Sequence, residues 1–270
     1  MSVAKSIAGG AASKREAVAP RKVPRPVNRY FWTKRLWSLT LAIPLAILLT
    51  PVIAALWALV RMTSPGPGFY SQIRLGRHGR EFSIYKLRTM KVDAERTTGP
   101  IWSQRGDCRV TGFGRILRQY HLDELPQIYN VLWGDMSLIG PRPERPEIAD
   151  HLAEQIPGYY VRIAVKPGIT GMAQLHLDAD ESVDSVCAKL GYDLAYIERA
   201  SPWLDFKVLM GTLLKALPGL SRHCVRVARC SAFCVDAQAR GAEVNAGMMS
   251  MRRGTPRHAG PAVPKSRVLP

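Results

Sequence analysis

The sequence predicts an α+β protein: a small, mostly helical domain with a short β-hairpin, anchored by one broken membrane helix near its start. Three observations carry this reading. Leu36 to Val60 is a run of 25 residues without a charge. Gly76–Gly79 is a turn signal beside the alternating segment Glu81–Leu87. From residue 114 to 217 the chain breaks into short stretches whose apolar residues recur at helical spacing.

A straight helix of 25 residues, rising about 1.5 Å per residue, could cross a hydrocarbon core of about 30 Å. This one contains Pro44 and Pro51. Each removes a helix hydrogen bond and biases its predecessor away from helical geometry, and the Thr50 hydroxyl is placed to serve a freed carbonyl. The flanks are basic on both sides, with Arg29, Lys34 and Arg35 before the run and Arg61 and Arg74 after it, so the charge asymmetry that orients a simple span is missing. A helix that enters the bilayer, breaks at Thr50-Pro51 and returns to the same face reconciles both facts. A kinked full span ranks second, and a buried soluble helix third, because the run is too long.

Ser64-Pro65-Gly66-Pro67-Gly68 is a turn cluster. Phe69–Arg74 and Glu81–Leu87 form the hairpin, and the polar stretch 92–109, with Gly99-Pro100, reads as a loop. Gly114–Tyr120 is a short basic helix. Leu122–Met136 is a second helix, with Leu125, Ile128, Tyr129, Leu132 and Met136 on one face and Gly134 ending it. Gly140-Pro141-Arg142-Pro143 is a rigid loop, Glu147–Gln155 a helix, and Lys166–Gly171 a turn. Asp184–Glu198 and Trp203–Leu217 are the last helices. Four regions result: a disordered basic segment 1–33, the membrane helix 34–62, the main folded domain 63–217, and a disordered basic tail 218–270.

The net charge of +17 is concentrated at the ends. Residues 1–35 hold nine basic residues and one acid, and residues 218–270 hold nine and two, so the body is close to neutral. A nucleic-acid-binding domain more often carries its charge on the folded part, and no nucleic acid is expected. Basic tails beside an apolar run suit anionic lipid headgroups; solvated disordered ends explain them equally well. The five cysteines, Cys108, Cys187, Cys224, Cys230 and Cys234, include no pair at metal-knuckle spacing and read as reduced thiols. The first 28 residues do not form a signal peptide, since no apolar stretch follows closely enough.

His121-Leu122-Asp123-Glu124-Leu125-Pro126-Gln127 places two adjacent carboxylates where a helix begins. Free N–H groups and the helix dipole favour negative charge there. Two ionised neighbours also favour a cation, and oxygen ligands alone favour Mg²⁺. Dipole complementation explains the pair as well, and on this heptapeptide alone it is the stronger reading. Arg142 and Arg145 lie on the proline-stiffened loop, and Lys86 and Arg88 at a strand end. Arginine forks match phosphate oxygens bidentately. Residue by residue, the chemistry extends to polyanions at a lipid interface and no further.

Seven blocks, in order, resemble the bacterial sugar transferase family, the monotopic polyprenyl-phosphate phosphoglycosyl transferases. They are Lys34-Arg35-Leu36-Trp37, Thr50-Pro51, Ser64-Pro65-Gly66-Pro67, Tyr85 to Met90, Leu122 to Gln127, Gly134 to Glu144, and Lys166 to Gly171. Together they cover about residues 34–217. Any single block is weak and the ordered set is specific. The resemblance implies a re-entrant membrane helix broken at Thr50-Pro51, Asp123 as nucleophile, Glu124 as its partner at Mg²⁺, and Arg142 with its prolines as a phosphate binder. It implies a UDP-sugar and undecaprenyl phosphate as substrates, UMP as a product, and the inner bacterial membrane as location, with the catalytic domain on the cytoplasmic face. Short exopolysaccharide-initiating members suggest galactose or glucose as the sugar. Membrane lipid is a partner, and a homodimer is admitted. Two positions depart from the pattern. Ser38 stands where the family usually has Asp, which would leave the helix start without an ionic anchor. His121 replaces the usual Ser or Thr, a weaker cap. Residues 218–270 match nothing in the family, and the chain resembles its short, catalytic-core form. A catalytically inactive membrane adaptor of polysaccharide assembly is the alternative.

Overall fold

The computed structural model describes residues 28–94, 107–177, 183–216 and residue 240. The expected disordered tails, apart from residues 28–33 and 240, and the Gly99-Pro100 loop lie outside them. The first helix, α1, runs Tyr30–Thr63, so residues 30–33 belong to it and not to a disordered segment. Lys34, Ser38, Ala42, Ala46, Ile53 and Val60 are buried. Their spacing in fours and sevens forms one stripe along the helix. Leu36, Ile43, Ile47, Leu48 and Leu59 are exposed on other faces. Among the described residues, α1 is the one helix long and apolar enough to cross a membrane.

The expected interruption at Thr50-Pro51 does not divide α1, which continues through both prolines. The Thr50 hydroxyl donates to the Ala46 carbonyl (2.6 Å) and not to the Ile47 carbonyl that Pro51 leaves without its N–H partner. With its proton committed, Thr50 accepts from the Tyr129 hydroxyl at 2.9 Å. The middle of the helix is thereby tied to the domain.

The start of α1 is held more firmly. Asn28 Nδ2 donates to the carbonyls of Glu198 (3.1 Å) and Ala200 (2.7 Å). Lys34 Nζ lies 2.7 Å from Asp205 Oδ2, with the Asp205 side chain fully buried. The hydroxyls of Tyr30 (2.8 Å) and Tyr196 (2.6 Å) also donate to that carboxylate, and Lys34 further bonds Tyr196. Ser38 shares a hydrogen bond with Ser137 (2.9 Å). The expected lack of an ionic anchor at Ser38 is thus made good one turn earlier, by Lys34.

Strands β1 (Phe69–Leu75) and β2 (Glu81–Leu87) pair antiparallel from Phe69↔Leu87 to Leu75↔Glu81, close to the predicted hairpin. Its turn carries His78 and Gly79 at positive φ, the backbone sense that tight hairpin loops use. Helix α2 (Gly112–Gln119) is capped by Thr111, whose side chain accepts from the Gly114 N–H at 3.0 Å. The single helix predicted over Leu122–Met136 is corrected. Leu122–Glu124 is a 3₁₀ turn, and α3 is only Gln127–Trp133. His121 is left-handed at φ 55°, and Pro126 has no N–H with which to continue a helix from that turn. Gly134, left-handed at φ 91°, ends α3 as expected, and Met136 falls outside the helix.

A second sheet was not predicted. β3 (Ser137–Ile139) pairs parallel with β4 (Gly168–Thr170), where the sequence reads as turn and loop. A Cβ on Gly168 would sit 2.1 Å from the Gly140 nitrogen, so glycine permits this close pairing. Helices α4 (Pro146–Gln155), α5 (Met172–His176), α6 (Val183–Arg199) and α7 (Pro202–Ala216) complete the domain. The main core joins Ile128, Val131, Leu138, Ile139, Tyr196 and Val208 to Ala42, Ala46 and Ile53 of α1. The apolar helix and the domain therefore share one core.

Removing Lys34 would strand a buried carboxylate. Lys34→Met is expected to cost about 3–5 kcal/mol, the range for breaking a buried ion pair from one side. Thermal unfolding of the detergent-solubilised protein measures this, and the double variant Lys34→Met/Asp205→Leu is expected to recover much of the loss.

Candidate active site

The turn that interrupts the predicted helix presents both carboxylates. Glu124 faces two cations brought from separate elements. Lys86 Nζ, from β2, lies 2.6 Å from Glu124 Oε1. Arg142, from the loop after β3, donates through Nη2 to Oε1 (2.7 Å) and through Nη1 to Oε2 (3.3 Å). Burial alone would raise the Glu124 pKa, but the charges of Arg142 and Lys86 hold it well below the usual carboxylate range. The Lys86 ammonium is lowered by burial, against the opposing pull of Glu124.

Asp123 is treated differently. It is buried, and no hydrogen bond reaches its carboxylate among the described residues. Burial raises its pKa, Lys86 opposes that rise, and Glu124 adds to it. The site thus holds one carboxylate neutralised by two cations and, beside it, one desolvated carboxylate without donors.

The surrounding structure positions these groups. Asn130, fully buried in α3, donates through Nδ2 to the Ser83 carbonyl (2.8 Å) and accepts from the Tyr85 N–H (3.2 Å). That fixes α3 against the strand carrying Lys86. The Arg142 loop is pinned by bonds from Gly140 N to Thr170 O (2.9 Å) and from Gly168 N to Pro141 O (3.0 Å). Arg162 donates to the Arg142 carbonyl (3.0 Å) and lies 2.8 Å from buried Asp193 of α6. Asn130, Arg162 and Asp193 escaped sequence reasoning, since their partners are distant in the chain. Arg118 was also missed. Its charge acts on Asp123, and its Nε donates to Thr89 Oγ1 at 2.8 Å. Its place five residues before Asp123, on a predicted basic helix, was the available signal.

Of the predicted phosphate-binding residues, Lys86 and Arg142 converge on Glu124 and two do not. Arg88 donates to the carbonyl (2.8 Å) and the hydroxyl (2.7 Å) of Ser64. It ties the turn after α1 to the end of β2, and Gly66 leaves room for its guanidinium, since a Cβ there would lie 2.1 Å from Nη1. Arg145 flanks the start of α4 with its Nε 4.0 Å from Glu147. Thr50 reaches the site's surroundings through its Tyr129 contact, and Pro51 is the neighbouring residue within α1. The expected metal pair is likewise narrowed. The Glu124 oxygens are engaged by two cations, leaving Asp123 as the available donor. Among the described residues no three His, Cys, Asp or Glu side chains gather as a metal cage. Magnesium is commonly held by one or two carboxylates with phosphate oxygens and water, so Asp123 fits such a role and Glu124, as arranged, does not.

The raised Asp123 pKa sets a stability prediction. A carboxyl whose folded pKa exceeds its unfolded one binds more protons when folded. Stability then falls as pH rises from the ordinary aspartate value, about 3.9, through the folded pKa. Asp123→Asn is therefore expected to melt higher than wild type at pH 7, by a few degrees if the gain is about 1 kcal/mol. The difference should vanish below the ordinary aspartate pKa. Melting curves across pH decide it, and a lower melting point for the variant at pH 7 would contradict it.

The chain is similar in sequence to known proteins. A family model described as bacterial sugar transferase matches residues 29–219. A UDP-N-acetylgalactosamine-undecaprenyl-phosphate N-acetylgalactosaminephosphotransferase of Aeromonas hydrophila is 39% identical over 197 residues, 73% of this chain and 46% of that protein. A putative undecaprenyl-phosphate N-acetylgalactosaminyl 1-phosphate transferase of Bacillus subtilis is 45% identical over 157 residues, 58% of this chain and 84% of that one. A UDP-glucose:undecaprenyl-phosphate glucose-1-phosphate transferase of Caulobacter vibrioides is 40% identical over 184 residues, 67% and 68% of the two chains. The chain spans less than half the length of the Aeromonas relative. With the family's model matched from the start of α1 to just past α7, the chain belongs to the bacterial sugar transferase family.

Proposed function

We propose that this protein transfers a sugar-1-phosphate from a UDP-sugar to undecaprenyl phosphate at the cytoplasmic face of the inner membrane, releasing UMP. The observation that carries the reading is the buried Asp123 carboxylate, without a hydrogen-bond donor among the described residues, beside the Lys86–Glu124–Arg142 cluster. An inactive adaptor would have no need to maintain that arrangement.

The reaction proceeds as two displacements. A carboxylate oxygen of Asp123 attacks the β-phosphorus of the UDP-sugar. The bond from that phosphorus to the bridging oxygen breaks, and UMP leaves with the oxygen and its electron pair. An oxygen of undecaprenyl phosphate then attacks the same phosphorus and releases the Asp123 carboxylate, forming the lipid diphosphate sugar. Lys86 and Arg142 offset charge on the phosphoryl oxygens. The Arg142 side chain is 46% exposed, so its outer edge can meet a phosphate while Glu124 holds the inner one. Magnesium, held by Asp123 and substrate oxygens, would supply further charge neutralisation. The sugar itself takes no part in the chemistry. Galactose or glucose follows from the resemblance, and the names of the relatives add N-acetylgalactosamine to the sugars worth testing.

The packing of α1 supports a helix that enters the bilayer and returns. Its start is bound to α6 and α7 through Tyr196 and Asp205, its middle to α3 through Tyr129, and its end, at Val60, to Leu87 and Leu117. Both ends of α1 packing on one domain favours their lying on the same side of the membrane.

Two measurements follow. UMP release by the purified protein, with Mg²⁺, undecaprenyl phosphate and a panel of UDP-sugars, is expected to be abolished in Asp123→Asn and to stop on chelation. Arg142→Lys, which keeps charge but loses the planar fork, is expected to lower kcat/KM by about 10- to 100-fold, in line with roughly 1–3 kcal/mol for a charged hydrogen bond. Activity of Asp123→Asn within a few-fold of wild type would end the two-step mechanism. For topology, single cysteines at Arg29 and Met62, in a chain otherwise without cysteine, are both expected to resist a membrane-impermeant thiol reagent in intact cells. Labelling of either places that end outside and rules out the returning helix.

A further inference from the structure

Beside the first turns of α1 lies a small pocket that opens to solvent. It shares no residue with the Lys86–Glu124–Arg142 cluster or with Asp123. Three cations line it from three separate elements: Arg35 of α1, Arg77 of the hairpin turn and Lys166 just before β4. Phe31, Leu39 and Val165 supply an apolar wall.

The cationic side is under-compensated. Among the described residues none of the three forms an ion pair, and Asp135 is the one acid whose charge acts on Lys166. Arg77 Nε is buried without a hydrogen-bond partner. Burial lowers the Lys166 pKa, and the neighbouring charges of Arg35 and Arg77 lower it further. Buried donors are nearly always satisfied in folded proteins, and like charges gathered round a concavity with an orphaned N–H among them are the chemistry that receives an anion. The Lys34 ammonium, which also lines the cavity, is already engaged by Asp205.

The position says what kind of anion. Leu36, adjacent to Arg35, is 70% exposed on the apolar surface of α1. The cavity thus lies beside the apolar helix, walled by basic residues of the domain, and with α1 in the bilayer it would face the headgroup region. Basic pockets at such boundaries suit phosphate headgroups, and the Phe31 and Leu39 wall suits the first carbons of a chain better than it suits a free ion.

We propose that this cavity binds the headgroup phosphate of an anionic phospholipid of the surrounding bilayer through Arg35, Arg77 and Lys166, as a site separate from that of the polyprenyl acceptor. The proposal rests on α1 lying at the bilayer and is independent of the chemistry at Asp123. Bound lipid would fasten the start of α1 to the hairpin turn and to the β4 segment at once.

The test uses the full-length chain in nanodiscs of phosphatidylcholine with and without phosphatidylglycerol. Retained lipid is read by native mass spectrometry after release, together with the melting temperature. Wild type is expected to retain one phosphatidylglycerol and to melt higher in its presence. Arg77→Gln/Lys166→Gln is expected to lower retention at least about tenfold, the loss typical of a removed charge-assisted contact, and Lys166→Arg to preserve it. Should the double variant fail to fold, Arg35→Gln, at an exposed position, gives the same reading. Equal retention by wild type and the charge-removing variants overturns the proposal. So does displacement of the retained lipid by inorganic phosphate alone, which would make the site one for free anions, or by equimolar undecaprenyl phosphate, which would make it part of the acceptor path. Binding is read without turnover, so the result stands whatever UMP release shows.

Discussion

The buried contact between Lys34 and Asp205 is the constraint on which the rest of the molecule depends. An apolar helix in a bilayer has no hydrophobic reason to prefer one neighbour over another, since lipid tails are as apolar as leucine. A lysine held 2.7 Å from a fully buried carboxylate supplies that reason. The tyrosine hydroxyls of residues 30 and 196 complete the shell around Asp205, so the charges are buried with their donors satisfied. From that fixed start, the stripe of Ser38, Ala42 and Ala46 brings α1 close against the core. The Thr50–Tyr129 contact then sets its middle, and Val60 its end.

The Lys86–Glu124–Arg142 cluster inherits its geometry from this arrangement. Tyr129 belongs to the same short helix as Asn130, which binds the edge of β2, and β2 carries Lys86. The apolar helix α1 and the strand that carries Lys86 are thus two contacts away from each other. Within the cluster, Glu124 is the shared counter-ion of Lys86 and Arg142. Two cations left alone in a partly buried site would repel one another and reorient. Their carboxylate partner keeps them aimed, at the cost of its own availability for metal or chemistry. Asp123, one residue earlier in the 3₁₀ turn, projects differently and escapes that pairing. Adjacent carboxylates have therefore acquired opposite electrostatic fates, one held ionised by cations and one strained toward neutrality by burial, a separation of roles familiar from paired acids in enzymes.

The surface nearest the bilayer has a consistent logic. Arg35, Arg77 and Lys166 lie beside the start of α1, and Arg61 and Arg88 near its end. Positive charge at both ends of one apolar helix, on one domain, suits a protein that rests on a single leaflet.

Much of this was legible in the chain. The 25 uncharged residues, the hairpin, the ends of the later helices and the ordered family blocks are local signals, because apolar periodicity, turn residues and motif spacing are properties of neighbours in sequence. The same holds for Asp123, Glu124, Lys86 and Arg142 as candidates. Where the sequence misled, the cause was non-local or backbone-specific. The apolar face from Leu125 to Met136 suggested one helix, but Pro126 and left-handed His121 made a 3₁₀ turn and a separate short helix. Three-residue strands β3 and β4 carry no periodicity and exist because Gly140 and Gly168 let two backbones meet. Arg88 and Arg145 resemble phosphate binders in composition, yet tertiary contacts assign them to Ser64 and Glu147. The sequence by itself determined the family, the membrane segment and the acid pair. Only the folded chain decided which acid the cations engage, which arginine reaches it, and that α1 runs on through its prolines, because each depends on partners that meet only when segments far apart in the chain are packed together.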